Sequence, residues 1–369
     1  MSRIFSRHLF VKTNLSCNLN CIYCYDRNKS NRSFDEVVTL NKLEQVLKEK
    51  TENGTKIKLV GGEPFLVFPK IKRLCEALWS MSLEEQIHIQ ITTNGTLVHD
   101  EIQDWLYENR AQIDCKLSID GDRNSQECNR PHSFDKIDIP FFVNTWPDGS
   151  INMVITPQTI HNLADNIIFL HECGFKNIMS LFAILTDWKD CYCEREYYSQ
   201  LIELVDFYLN NPQFHRFNLL NNKIERTLNT SYDKPLCEVG RKIVYDIESD
   251  RYYPCHLFFP SVCGEISQKE IESFDFATRS HNEEPQCLSC KFINICHTCY
   301  AANYIERGAL SKRDMTMCTY RKLSFLATAK LEYSKIIVIK EPSSTDILKM
   351  KAIQYLLEDL NIIENNMSK

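Results

Sequence analysis

Through the first half of the chain, short apolar runs alternate with longer stretches in which apolar residues recur at helical spacing. The runs at 8–12, 57–60, 87–92, 115–119, 151–155 and 178–183 read as strands, and the stretches at 40–50, 69–81, 100–109 and 161–173 as crossover helices. Repeated strand and helix units imply a parallel sheet with right-handed connections, here an open α/β barrel. The crossover at 131–149 departs from this pattern. Pro131, Pro140 and Pro147 are too many for an ordinary helix, and a loop or irregular lid is expected there. Helical patterning returns at 194–228. From 237 to 318 cysteines and turn formers dominate, which suggests a small domain stabilised by metal more than by core. Helices are expected again in 320–369, including 345–360. The organisation that follows is a barrel with linking helices at 1–230, a cysteine-rich domain at 231–325 and a helical tail at 326–369.

Composition narrows the function. With 369 residues and 43% hydrophobic content the chain is long enough for two domains and ordinary for a soluble protein. Its net charge is -6 and no stretch is strongly basic, so nucleic acid is not an expected partner. No signal-like apolar run precedes the first cysteine, and nothing approaches the roughly 18 apolar residues of a membrane span. A cytosolic location with no membrane partner is expected. In a reducing compartment 17 cysteines point to metal ligation or catalysis before disulfides, and an odd number excludes complete pairing. Cys75, Cys115, Cys128 and Cys173 are scattered and need no chemical role; Cys75 and Cys173 fall on predicted helices, where a buried thiol acts as a small apolar filler.

The chemistry-bearing residues gather at strand ends. Cys17, Cys21 and Cys24, spaced C-x3-C-x2-C, follow the first strand on a loop, where barrel active sites are built. Three thiolates would leave one iron of a cubane open to an exogenous ligand, although the spacing alone also suits a partial zinc site. The second strand ends in Gly61-Gly62-Glu63-Pro64, whose glycines allow close backbone approach to a ligand and whose oxygens could accept from an ammonium group. The third strand ends at Thr93-Asn94-Gly95 and the fourth at Ser118-Ile119-Asp120-Gly121.

C-x3-C-x2-C, GGEP, TTNG and LSIDG in this order resemble the radical S-adenosylmethionine superfamily over roughly the first half of the chain. The resemblance implies a partial (β/α)6 barrel whose 4Fe-4S cluster cleaves S-adenosylmethionine to a 5'-deoxyadenosyl radical. By position, Tyr23 resembles the adenine neighbour, GGEP the segment that holds the methionyl amine, and Ser118 and Asp120 the ribose-side residues. Thr93 and Asn94 belong to the same cofactor end, Arg130 matches a carboxylate-contacting arginine, and Ile184 matches a residue whose backbone meets adenine.

The run Cys287-x2-Cys290-x5-Cys296-x2-Cys299, with Cys318, Cys237 and Cys255, could hold zinc in knuckles. It also resembles the SPASM extension of these enzymes, which binds two auxiliary 4Fe-4S clusters. That resemblance implies one cluster on Cys287, Cys290, Cys296 and Cys318, and another on Cys237, Cys255 and Cys299, making three clusters in all. Cys263 is a candidate for the missing ligand, with Cys191 and Cys193 farther off. Three departures stand out: Asp250 replaces a glycine, Cys237 and Cys255 lie slightly farther apart than usual, and two residues instead of three separate Cys296 from Cys299.

SPASM proteins mostly modify peptides or proteins. In size and motif placement the chain resembles anaerobic sulfatase maturases, but His256 stands where they carry a catalytic aspartate. Histidine can take a proton, or His256 can simply pack beside a cluster. The expectation is therefore a maturase that abstracts a side-chain hydrogen from a ribosomal precursor peptide and forms a crosslink, a carbon-carbon cyclophane or a thioether. A flavodoxin or ferredoxin is the expected reductant. Formylglycine formation is the alternative, and a structural or electron-transfer metal protein the alternative of another class.

Overall fold

The computed structural model describes residues 5–26, 29–188, 193–229, 239, 243–264, 268–276 and 284–368. Cys191 and Cys237 lie outside them. Six parallel strands form the barrel: β1 (Arg7–Lys12), β2 (Thr55–Val60), β3 (Ile87–Thr93), β4 (Ile113–Leu117), β5 (Ser150–Ile155) and β6 (Asn177–Phe182). Helices α1 (Glu36–Leu47), α2 (Phe68–Ser80), α3 (Asp100–Glu108), α4 (Arg123–Asn129), α5 (Ile139–Thr145) and α6 (Leu163–Glu172) fill the crossovers, and α7 (Glu194–Asn210) follows β6. β4, β3, β2 and β1 are hydrogen-bonded in that order, and β5 pairs with β6. A bridge from Ser118 to Asn152 joins the two groups, so the sheet curls while staying open.

Alternation decides which face is which. Leu9, Val11, Ile57, Leu59, Ile89, Ile91, Ile113 and Leu117 pack outward against Leu43, Leu47, Ile71, Leu74 and Leu106 of the helices. Burying each such side chain contributes about 1.5–3 kcal/mol. The alternate residues, including Phe10, Lys58, Gln90, Asp114 and Lys116, face the concave side, and much of that side is polar. This explains why β4 starts at Ile113 and not at 115: Asp114 and Lys116 hide its alternation from an apolar-run reading.

The segment 131–149 is not an irregular lid. It holds a short 3-10 turn, Phe134–Lys136, and α5, because each proline sits where a helix tolerates it. Pro131 follows α4, Pro140 lies in the first turn of α5 behind the Asp138 cap, and Pro147 comes after its end. Phe142 is buried in the barrel core.

The cysteine-rich stretch continues the barrel sheet. β7 (Ile243–Asp246) pairs in parallel with β1, and β8 (Arg251–Tyr253) folds back antiparallel on β7. The helix Thr316–Ile336 runs through residue 325, so the division expected there falls inside one continuous helix. Its Met317, Tyr320, Leu323, Ala327 and Leu331 join the barrel core, and Tyr197 of α7 bonds Ser324 across the contact. The last helix, Ser344–Ser368, extends beyond the expected 345–360 at its C-terminal end.

Candidate active site

After β1 the chain turns across the end of β2. Gly62 N donates to Asn14 O at 3.2 Å and Glu63 N to Ser16 O at 2.9 Å. A Cβ on Gly62 would lie 2.0 Å from Ser16 O, and one on Gly61 2.7 Å from Asn14 O. The two glycines therefore let the cysteine loop itself approach the end of β2.

Glu63 is fully buried, and its carboxylate is occupied by the protein. Thr93 Oγ1 donates to it at 2.7 Å, Asn94 N at 2.8 Å and Phe65 N at 3.1 Å. Burial raises its pKa in spite of these donors. The expected acceptor for an ammonium group is thus, in its side chain, a lock between β2 and β3. Asn94 carries the lock onward: its Nδ2 reaches Asn18 Oδ1 at 2.9 Å and lies 3.9 Å from Cys17 Sγ.

Asp120 is the second lock, and it too is fully buried. Its Oδ2 accepts from Tyr23 Oη at 2.7 Å, Arg130 Nε at 2.9 Å and Asn129 Nδ2 at 3.3 Å, and its Oδ1 from Val154 N at 2.9 Å. Burial works against the Arg130 cation, but Asp120 outweighs it and holds the guanidinium above its usual pKa. Burial likewise raises Tyr23 well above the phenol range. Asp120 thus braces Tyr23 and Arg130 and has little left to offer a ribose. Arg130 lies over the Tyr23 ring and places Nη1 4.0 Å from Cys21 Sγ. Ser118 N is bound to Thr93 O at the junction of β4 and β5.

The spacing reading missed Asn129. It is fully buried, ties Asp120 and Val154 O, accepts from Thr156 Oγ1 at 2.8 Å, and receives Ile22 N of the cysteine loop on its backbone oxygen. A single Asn at a helix end has no motif to announce it; its distance from Asp120 becomes informative only once α4 is in place.

Three cysteine thiols at C-x3-C-x2-C suit the ligation of an iron-sulfur cluster. Among the described residues no three Cys, His, Asp or Glu side chains converge on a single-ion geometry. Burial raises the Cys17 and Cys21 thiols, and each also feels the charge of its triad neighbours. Such thiols need the charge of bound iron to ionise, and the amides near Cys17 can donate to sulfur.

In the second half, Cys287, Cys290, Cys296 and Cys318 line one small cavity together with Arg313 and Lys322. Arg313 Nη2 lies 3.4 Å from Cys296 Sγ. Burial raises Cys290 and Cys318, and Lys322 opposes this in both. Cys255, Cys263 and Cys299 sit apart from these four, around an apolar cluster of Phe10, Phe258, Phe259 and Tyr300. His256 stacks on Phe10 with ring centres 5.1 Å apart, and its Nδ1 lies 3.6 Å from Cys255 Sγ. Burial, and then Lys58, push it down to about 4.

A cavity of about 840 Å³ opens between the halves. Tyr25, beside Cys24, forms one wall; Leu185 to Trp188 beyond β6 form another; Ile305 to Arg307 and Arg313 to Thr316 close it. Ile184 is half-buried at the edge of this segment. His256 does not line the cavity.

Residues 11–139, from β1 into α5, match the model of the Radical SAM superfamily, so this stretch is a radical SAM domain. A Methanocaldococcus jannaschii protein, MJ0907, is 30% identical over 179 residues, covering 47% of this chain and 61% of its own length. A GTP 3',8-cyclase of Clostridium perfringens is 25% identical over 177 residues, 47% of this chain and 53% of the cyclase. The chain thus spans less than two thirds of these relatives. The structure of anSMEcpe with bound AdoMet and Cp18Cys peptide superposes with a TM-score of 0.66 at 20% identity, covering 89% of this chain and 97% of that one. Streptococcus suis SuiB bound to precursor peptide SuiA gives 0.56 at 19% identity, covering 85% and 76%. Among the described residues no helix is long and apolar enough to cross a membrane.

Proposed function

We propose that this protein is a radical SAM maturase of a ribosomal precursor peptide. The cavity of about 840 Å³ carries the reading, because it lies between Tyr25, next to Cys24, and residues 305–307 and 313–316 of the second half and is large enough for several peptide residues. That anSMEcpe and SuiB were solved with peptides supports it. Cys17, Cys21 and Cys24 would hold the cofactor cluster; Cys287, Cys290, Cys296 and Cys318 would hold an auxiliary one, and Cys255 and Cys299, with Cys237, a second. A cluster held by the first three would supply one-electron reduction of S-adenosylmethionine, and through it the power to take a hydrogen atom from the substrate. Tyr23 and Arg130, braced by Asp120, fix the loop that carries Cys21, while Ser118, Ile184 and the backbone of GGEP would contact the cofactor. A flavodoxin or ferredoxin supplies the electron.

A crosslink, carbon-carbon or thioether, is preferred over formylglycine formation. His256 replaces the maturase aspartate, and it packs against Phe10 away from the cavity. Coexpression with candidate short peptides, followed by mass spectrometry, tests this. A product lighter by two hydrogens with no label from solvent is expected. Unchanged mass with one solvent deuterium means epimerisation, and 5'-deoxyadenosine formation stimulated by GTP and by no peptide overturns the peptide reading.

A further inference from the structure

The concave face directly below the strand-end site carries an unbalanced charge. Strand register puts Phe10, Lys58, Gln90 and Asp114 in one row; the next row toward the site holds Lys12 and Val60, continued by Thr92 and Lys116. Most charges here are matched. Asp114 is held by His88 at 2.9 Å and Lys56 at 3.6 Å, Lys12 pairs with Asp26 at 2.8 Å, and Lys58 lies over the Phe10 ring.

Lys116 is the exception. It is half-buried, forms no ion pair, and no carboxylate among the described residues offsets its charge. Burial, and then the charge of Lys56, push its ammonium down to about 8. Its neighbours Cys115 and Leu117 are anchored in the core on the opposite face, so β4 cannot rotate the lysine away. Ser118, at the strand-end site, is two residues further on, about 6.6 Å along a parallel strand. Partly desolvating a cation beside another cation costs stability unless a ligand compensates it.

We propose that Lys116 is an anion-recognising residue on the concave face beneath the strand-end centre, outside the lining of the cavity formed by Tyr25, 185–188, 305–307 and 313–316, where it holds a carboxylate of a peptide that extends from that cavity. This rests on the peptide reading above. The carboxylate comes from an acidic side chain or from a peptide C-terminus. In either case the ion pair sets which residue lies within reach of the site, so Lys116 governs specificity and not cofactor cleavage.

The test uses the cluster-loaded full chain and defined pools of short peptides. One arm compares pools with Asp or Glu against pools with Asn or Gln; the other compares free-acid with amidated C-termini. Modified product is counted by mass spectrometry for the wild type, Lys116→Met, Lys116→Arg and Lys116→Glu. The wild type should prefer the carboxylate-bearing member of one arm by tenfold or more. Lys116→Met should reduce that preference below twofold, Lys116→Arg should keep much of it, and Lys116→Glu should reverse it toward the Asn, Gln or amidated member. The arm that responds identifies the source of the carboxylate. An independent readout is the Tm: removal of an uncompensated cation should leave Lys116→Met at least as stable as the wild type, and a clear fall would overturn the assignment by making Lys116 structural. Pools modified without acid preference, or a preference that survives in Lys116→Met, overturn the Lys116 assignment and leave the peptide reading intact. No modification of any pool by the wild type overturns the peptide reading, and the carboxylate assignment with it.

Discussion

The strand ends of the barrel and the cysteine-rich half both gather thiols, but they reach order by different routes. At the strand ends the buried charges are matched by protein: Asp120 by Arg130, Tyr23, Asn129 and Val154 N, and Glu63 by Thr93, Asn94 and Phe65. In the second half the groups that converge are the thiols themselves, with Arg313 and Lys322 as the charged residues nearby. The first region should therefore be preformed, with iron adding chemistry. The second should depend on iron for its shape.

The largest expected effects separate these two roles. Replacing Cys17, Cys21 and Cys24 together by Ala should lower 5'-deoxyadenosine formation to background, a loss of at least about 100-fold, while limited proteolysis of 284–318 stays as in the wild type. Replacing Cys287 and Cys318 by Ala should do the reverse for structure and expose 284–318 to rapid cleavage. Equal protease sensitivity of the two variants would remove the distinction.

A middle-sized effect tests preformation of the strand ends directly. Asp120→Ala leaves the Arg130 guanidinium buried without its partner, and breaking a buried pair in this way costs about 3–5 kcal/mol. Denaturant unfolding of the iron-free protein should show this loss. A change below about 1 kcal/mol would mean that the Asp120 network forms only with the cofactor in place.

The two regions also differed in how far the sequence could be read. The six barrel strands and the convergence of Cys17, Cys21 and Cys24 with the ends of β2 to β4 follow from local periodicity and from the rule that barrel sites lie at strand ends. What escaped is non-local. Nothing local shows that Glu63 and Asp120 spend their oxygens on the protein, or that Asn129 ties α4 to the cysteine loop. The proline-rich crossover misled because three prolines look like disruption until each is placed at a helix boundary. In the second half, the pairing of β7 with β1 was hidden by strands too short to show a period, and the cysteine spacing announced ligands without saying what would order them.

The smallest effect is a pH dependence at the other end of the barrel, which extends preformation beyond the strand-end site. Glu85 is buried, accepts from Thr51 N at 2.7 Å and Thr55 Oγ1 at 2.5 Å, and meets Arg7 at 3.3 Å. Burial opposes its ionisation, but the bonds from Thr55 and Thr51 and the charge of Arg7 outweigh that and hold its pKa below the usual value. The folded state therefore releases this proton more readily than the unfolded chain. The resulting stability is fully present above the ordinary carboxylate range and is lost as pH falls through the folded-state pKa. Glu85→Gln should cost about 1.5–3 kcal/mol at neutral pH, and the gap from the wild type should narrow on acidification toward pH 3 in the iron-free protein. A gap that is constant with pH would show that Glu85 acts there through its shape and not its charge.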